Sequence, residues 1–450
     1  MHLPVSADIL RKYDVALPRY TSYPTVPFWD FSGFSVASWK EELKKRFKVE
    51  QGEISIYIHL PFCEELCTYC ACNKRITKNH SVEIPYLKAV LHEWKLYKSL
   101  FPSRPVIREI HLGGGTPTFF SPAHLEELIS GIVEDCDLSR EHSFSVELHP
   151  NYTSDEHLRV LRSCGFNRIS VGVQDFDPAV QFIINRIQSF EQTRHVIDKA
   201  RELGFESVNI DLVYGLPKQN VNCVSNTIFK IGELKPDRIA FYSYAHVPWK
   251  SKGQRRYDDD DVPGAEDKRA MYMKGKEMLE MIGYESIGMD HFALPGDALH
   301  TAYDRGDLHR NFMGYTSHKS KLLIGLGASS ISDSWTAFAQ NEKTVEDYQD
   351  KILSGELPLV NGHLLNEKDQ LTRQYILDLM CRGKLELDAE QKEKAQEALI
   401  EFEKDGILKL SGNTLQVTPL GRAFVRNISA VFDEYLKENR SKLPLFSKAV

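Results

Sequence analysis

A chain of 450 residues, 42% hydrophobic and 26% charged, is long enough for two or three domains around a sizeable core. Its formal net charge of -7 argues against a nucleic-acid binder that relies on a broad basic face. No apolar run reaches the roughly 18 residues a membrane span needs. The opening "MHLPVSADILRKYDVALPRY" lacks the apolar stretch and cleavage site of a signal peptide, so the expectation is a cytoplasmic protein.

Residues 1–50 read as an N-terminal arm. Its "LPRYTSYPTVPFWDF" intersperses three prolines with aromatics, which does not make a regular helix. From residue 54 short β-branched runs alternate with longer amphipathic stretches. The predicted strands are "ISIYIHL" (54–60), "IREIHLG" (107–113), "SFSVELH" (143–149), "RISVGVQ" (168–174), "SVNIDLVYG" (207–215) and "RIAFYSYAHV" (238–247). Helical stretches at 82–100, 122–136, 154–165, 190–204 and 224–235 separate them. Strand and helix in strict turn imply βαβ units on a parallel sheet. The expected fold is α/β, a partial (β/α)6-type barrel over residues 51–360, with function at the C-terminal ends of its strands.

The residues that look chemical fall on that edge. Cys63 follows the first strand, "GGGTP" (113–117) ends the second, and Glu147 lies near the end of the third. Gln174 ends the fourth, Asp211 is late in the fifth, and Ala245 and His246 end the sixth. The polar "KSKGQRRYDDDDVPGAEDK" (250–268) reads as a surface loop. "IGYESIGMDHFALP" (282–295) and "LHRNFMGYTS" (308–317) are rich in aromatics and histidine. Residues 361–450 become Glu-, Lys- and Leu-rich, and "EKDGILKLSGNTLQVTPLGRAFV" (403–425) has a helix–turn–hairpin–helix pattern. This is expected to be a small, mainly helical, winged-helix-like C-terminal domain, packing or acting as a lid rather than binding DNA.

Half of the eight cysteines are gathered in "HLPFCEELCTYCACNK" (59–74), in the pattern C-x3-C-x2-C-x-C. A disulfide framework would spread them along a shorter secreted chain. Structural zinc usually needs a second Cys knuckle a dozen or more residues away, which is missing. The spacing of Cys63, Cys67 and Cys70 suits three thiolates on three irons of a [4Fe–4S] cluster, leaving the fourth iron open. Cys72 follows too closely to be a fourth equivalent corner.

C-x3-C-x2-C after a first strand resembles the radical S-adenosylmethionine (SAM) superfamily motif. There the open iron chelates SAM, whose reductive cleavage yields methionine and a 5′-deoxyadenosyl radical. "YIHLPFCEELCTYCACNK" (57–74), "HLGGGTPTF" (111–119), "NRISVGVQDF" (167–176), "NRIQ" (185–188), "NIDLVYGLPKQ" (209–219), "MDHFA" (289–293) and "LHRNFMGYT" (308–316) sharpen the likeness. With "PRYTSYPT" (18–25) and "VTPLGRAFVRNI" (417–428), they resemble the oxygen-independent coproporphyrinogen III dehydrogenase (HemN) family along nearly the whole chain.

The resemblance implies a [4Fe–4S] cluster on Cys63, Cys67 and Cys70, and two SAM molecules. Tyr57, Gly114 and Glu147 are implied for the first SAM. Tyr69, Gly115, Thr116, Gln174, Arg186 and Asp211 are implied for the second, with Ala245 and Ile331 as backbone or apolar contacts. Tyr69 stands where the family usually has Phe. Cys72, Tyr57 and His59 are candidates for catalytic roles. For Cys72 a group beside the cluster, a hydrogen or electron relay and a packed thiol stay open. His59 faces the same way as Tyr57 along the strand and is either functional or core. Arg19, Tyr20, His309 and Arg310 are candidates for the substrate's carboxylates.

The implied reaction converts two propionates of coproporphyrinogen III to vinyl groups, giving protoporphyrinogen IX. The implied partners are that substrate and an electron donor such as a flavodoxin or ferredoxin, with no nucleic acid and a monomeric chain. The alternatives are a related anaerobic enzyme that methylates and opens heme, a metal-storing structural protein and a heme chaperone branch of the superfamily. The chaperone branch has an aromatic in place of Cys72 and lacks the "PRYTSYPT" arm, so both features favour the dehydrogenase.

Overall fold

The computed structural model describes residues 7–249 and 251–439. Two compact units divide the chain. The larger comprises Asp30–Met278 and Ser320–Leu364. The smaller comprises Met1–Trp29, Leu279–Lys319 and Leu365–Val450, so neither is one continuous stretch. The expected segments 1–50, 51–360 and 361–450 are, by contrast, successive.

In the larger unit β1 (Glu53–Leu60), β2 (Val106–Gly114), β3 (Asp137–Leu148), β4 (Arg168–Gln174), β5 (Ser207–Tyr214) and β6 (Arg238–Ser243) lie side by side in chain order. Every neighbouring pair is parallel. β7 (Leu323–Leu326) adds a seventh parallel strand on the free edge of β1. β8 (Ile331–Asp333), β9 (Ala337–Asn341) and β10 (Leu359–Leu364) extend that edge as an antiparallel meander. The β/α half-barrel is thus present, longer by four strands than the six predicted. β7 is a short, wholly buried apolar run without alternation, so it gives no period-2 signal.

Five crossover helices connect the six strands: α1 (Glu83–Lys98), α2 (Pro122–Val133), α3 (Asp155–Ser163), α4 (Phe190–Glu202) and α5 (Val221–Leu234). The last four start at side chains that accept from their own first-turn amides: Ser121, Ser154, Ser189 and Asn220. Such caps satisfy otherwise orphaned N–H groups, worth about 1 kcal/mol each. Ile56, Ile58, Ile110, Leu112, Val146, Val171 and Ile210 are buried along the sheet. Each contributes about 1.5–3 kcal/mol of hydrophobic stabilisation.

In the smaller unit, helices Glu367–Arg382 and Ala389–Lys404 pack with strands Lys384–Glu386, Leu408–Ser411 and Thr414–Val417. Thr414–Val417 is the centre of that antiparallel sheet, giving the winged-helix-like pattern. The arm is not a separate appendage. Tyr13, Tyr20 and Tyr23 are buried in one cluster with Ile376, Leu379, Leu399, Phe402, Phe424 and Ile428. Among the described residues no helix is long and apolar enough to cross a membrane.

Candidate active site

The cysteine loop leaves β1 at Leu60 and is tied down by its backbone. Gly115 donates to the carbonyl of Leu60 at 2.8 Å and Thr116 to that of Phe62 at 2.9 Å. The Thr68 amide donates to Ile184 at 2.9 Å, and Asn185 Nδ2 to Leu66 at 2.9 Å. From a third side Gln254 Nε2 donates to the Tyr69 carbonyl at 3.0 Å and Ser251 Oγ to that of Cys70 at 3.0 Å. Gln254 is fully buried and also binds Ala245 O and Val247 N. The polar segment read as a surface loop is therefore, at this residue, a buried clamp.

Cys63, Cys67, Cys70 and Cys72 open onto one cavity of about 280 Å³ at the C-terminal ends of the strands. Tyr69, Gly114, Gly115, Thr116, Glu147, Gln174, Arg186 and Asp211 line it too. The sulfurs meet donors: Thr116 Oγ1 lies 3.5 Å from Cys63 Sγ, and Arg186 Nη1 lies 3.6 Å from Cys67 Sγ. A hydrogen bond from Cys72, with Lys74 and Arg186 nearby, lowers the Cys70 thiol, while the same contact raises that of Cys72. Burial pushes the Cys63 thiol up to about 11.

Two carboxylates face the loop. Glu147 Oε1 lies 3.2 Å from His111 Nε2. Lost solvation opposes its charge, but His111 and the Gly114 amide outweigh that and hold it below its usual range. Asp211 accepts from Ser170 Oγ at 2.8 Å and Asn209 Nδ2 at 2.9 Å. Gly114 sits at φ +113°, and a Cβ there would stand 2.8 Å from the His59 ring. Only glycine takes that turn comfortably. Gln174 turns at φ +67° where β4 ends.

Tyr57, His59, Ala245 and Ile331 do not line the cavity. The Tyr57 hydroxyl is 3.0 Å from His59 Nδ1, and His59 Nε2 is 2.9 Å from the Asn73 carbonyl. Burial holds His59 neutral, so Tyr57 donates to Nδ1 and Nε2–H donates to Asn73. The pair props the loop from behind. Ala245 and His246 lie past the strand, which stops at Ser243. Ile331 begins β8, its carbonyl packed where a Cβ on Gly325 would fall. In the smaller unit Tyr20 is buried and donates to Asp433 at 3.1 Å. Arg310 donates to the Arg19 carbonyl at 3.3 Å and lies over the Tyr315 ring. Tyr20 and Arg310 are buried within that unit, as is His309, next to Arg310 in sequence.

The cavity also holds groups the sequence reading missed: His149, Tyr152 and Ser170. Burial, with the Arg186 charge, pushes His149 far below the usual imidazole range, so it lines the cavity as a neutral ring. Its place at the end of the third predicted strand was the available signal.

Residues 57–231 match the model of the radical SAM superfamily. An oxygen-independent coproporphyrinogen III oxidase of Pseudomonas aeruginosa is 38% identical over 458 residues, covering 99% of this chain and 98% of that protein. The chain belongs to the oxygen-independent coproporphyrinogen III oxidase family. A Synechocystis sp. member of that family is 39% identical, with 99% and 98% covered. The solved coproporphyrinogen III oxidase (HemN) of Escherichia coli, a radical SAM enzyme, matches with a TM-score of 0.89 at 35% identity, covering 93% of this chain and 98% of that one.

Radical SAM proteins use a [4Fe–4S] cluster and SAM, and the residues of this oxidase-family chain fit both. Among the described residues no three His, Cys, Asp or Glu side chains gather closely enough to chelate one ion. The donor set, three soft thiols on one loop, is the kind an iron–sulfur cluster takes. Arg186 stands beside these thiols with its buried Nε unpartnered among the described residues, ready for an anionic group. Glu147 and Asp211 offer acceptor oxygens suited to an ammonium or ribose hydroxyls.

Proposed function

We propose that this chain is an oxygen-independent coproporphyrinogen III oxidase of heme biosynthesis, converting two propionates of coproporphyrinogen III to vinyl groups and giving protoporphyrinogen IX. The observation that carries the reading is the opening of Cys63, Cys67 and Cys70 onto the same cavity as Glu147 and Asp211. When bound, the cluster and SAM would supply radical chemistry that removes a hydrogen atom from a propionate; loss of CO2 then gives the vinyl group, the remaining electron passing to a one-electron acceptor outside the chain.

The chain's own groups hold and orient. Cys63, Cys67 and Cys70 bind the cluster, and Arg186 and Thr116 hydrogen-bond its sulfur ligands. Glu147, kept ionised by His111, accepts from the SAM ammonium group, and Gly114 lets the backbone approach. Tyr69, Gln174, Arg186 and Asp211 form the contacts of a second SAM, with Gly115 and Thr116 behind it. Tyr57 and His59 fix the loop. Cys72, which lines the cavity and hydrogen-bonds Cys70, is the thiol left to act on the substrate side. Residues 51–360 carry all of this, in a monomer acting in the cytoplasm and served by a small electron-carrying protein.

The test is anaerobic reconstitution with iron and sulfide, then incubation with SAM, dithionite and coproporphyrinogen III. Protoporphyrinogen IX and methionine are expected. Consumption of heme, or heme binding without turnover, would overturn the assignment.

A further inference from the structure

The proposed chemistry draws an electron from outside, and the cavity side of the cysteine loop is taken by SAM and substrate. The back of the loop is different. The strand Arg75–Ile76 pairs in parallel with Phe62–Cys63, setting Ile76 opposite Cys63. Thr77 N–H donates to the Cys63 carbonyl at 2.9 Å, and Arg75 N–H to that of Pro61 at 2.8 Å. This sheet has only those two strands, so one strand spacing of about 4.8 Å separates the Cys63 backbone from the outer strand. The Ile76 side chain on that strand is 41% exposed. A lone exposed isoleucine means little. One placed opposite Cys63, outside the cavity lining and next to the Thr77 amide that bonds the Cys63 carbonyl, marks a short covalent and hydrogen-bonded path from solvent to that residue.

Its own segment has a sign. Residues 71–80, "ACNKRITKNH", carry Lys74, Arg75 and Lys78 and no carboxylate, in a chain of net charge -7. The neighbouring segment 342–347 brings Lys343 together with Glu342, Glu346 and Asp347; Glu346 pairs with Arg75 and offsets it, and Asp347 accepts from Thr344 Oγ1. Among the described residues Lys78 has no partner, and Lys343 has none for its ammonium; the Lys343 carbonyl accepts from Asn73 Nδ2 at 2.7 Å. Lys74 turns inward to the carbonyls of Cys70 and Cys72.

We infer that Ile76, Lys78 and Lys343 form the docking surface for a small acidic one-electron carrier protein, and that the electron enters through the strand Arg75–Ile76 and Thr77. The inference rests on the reading under Proposed function. One electron leaves the reduced carrier, which becomes its one-electron-oxidised form, and passes to the cluster held by Cys63. No proton or bond crosses the interface. The lysines steer the approach, and Ile76 gives the contact a dry centre.

The probe is a flavodoxin, titrated calorimetrically into the anaerobic, cluster-loaded protein. Binding should weaken with added salt, and weaken about tenfold or more in Lys78→Glu/Lys343→Glu and in Ile76→Asp. Lys199→Glu, on α4, should bind like the parent. Carbodiimide cross-links to flavodoxin should map to Lys78 and Lys343. Stopped-flow bleaching of the cluster by reduced flavodoxin should slow about tenfold in the same variants, with iron content and dithionite-driven bleaching unchanged. Equal binding and equal bleaching across all variants would overturn the docking surface. Loss of coproporphyrinogen turnover under dithionite is a separate result and would count against the activity instead.

Discussion

Gly172 and Arg186 share one volume. The Arg186 Nη2 donates to the Gly172 carbonyl at 2.6 Å, and a Cβ on Gly172 would stand 2.8 Å from that same nitrogen. The guanidinium approaches β4 this closely because residue 172 has no side chain, and from there Nη1 reaches Cys67. Gly172→Ala should therefore displace Arg186 while leaving the cysteines in place. We expect a stability cost of about 1–3 kcal/mol, in line with other overpacked sites. Turnover should fall about tenfold or more, with iron content retained. Unchanged kcat and KM for SAM would mean that Arg186 makes no ligand contact.

Cys72 is exposed, lines the cavity and hydrogen-bonds Cys70. Cys72→Ser should bind a full complement of iron and sulfide and lose turnover by about a hundredfold or more, as expected for a proton- or hydrogen-transferring group. Iron analysis beside the activity assay decides it. Substoichiometric iron in this variant would make Cys72 a ligand or a support of the loop.

Gln254 holds three backbone groups at once, including the Tyr69 carbonyl between Cys67 and Cys70. Gln254→Ala leaves Tyr69 O, Ala245 O and Val247 N without that partner, costing about 2–3 kcal/mol. Gln254→Glu keeps the acceptor for Val247 and loses both donors, so it should do little better. Thermal unfolding and the rate of iron loss to a chelator report the effect. A variant with parental iron retention would show the clamp to be dispensable.

Glu93 on α1 is fully buried, and burial pushes its carboxyl up to about 7 despite bonds from Tyr348 OH, the Gly327 amide and Asn341 Nδ2. In the unfolded chain it titrates near 4.5. The folded state thus holds a proton that the unfolded state has released. The stabilising contribution of that proton is full below about pH 4.5 and is lost as pH rises through about 7. The size is on the order of 3 kcal/mol. Glu93→Gln cannot titrate. Its stability relative to the parent should improve between pH 5 and pH 8, measured by denaturant unfolding at both. A gap independent of pH would place the Glu93 value near that of an ordinary carboxylate.

Much of this architecture was legible because each level of the sequence pointed the same way. Ile54, Ile56 and Ile58 alternate with polar positions, Gly52 precedes them, and a capped helix follows each of the next four strands. β4 was placed to the residue. β6 was drawn too long because "YAHV" keeps an apolar rhythm after the backbone has left the sheet at Ser243. The gathering of Cys63, Cys67 and Cys70 on one cavity was readable because three thiols so close in sequence share one loop. Gln254 was not, since a polar side chain among lysines and aspartates looks solvated until its three backbone partners are known. Nor was the joining of Tyr13 to Phe402, a stacked pair with centroids 4.9 Å apart, because contacts across such sequence separation leave no local pattern.

That pairing has a consequence for synthesis. Tyr13, Tyr20 and Tyr23 are made about 350 residues or more before most of the side chains that bury them, and their cluster runs to Phe432. Until residues 375–432 have been made, these rings have no core to enter. Sequence-distant contacts of this kind close slowly and leave apolar surface open to misassociation. A nascent chain stalled before residue 365 should therefore be the aggregation-prone, chaperone-bound species in the life of this protein, even with most of the strands of its barrel already made.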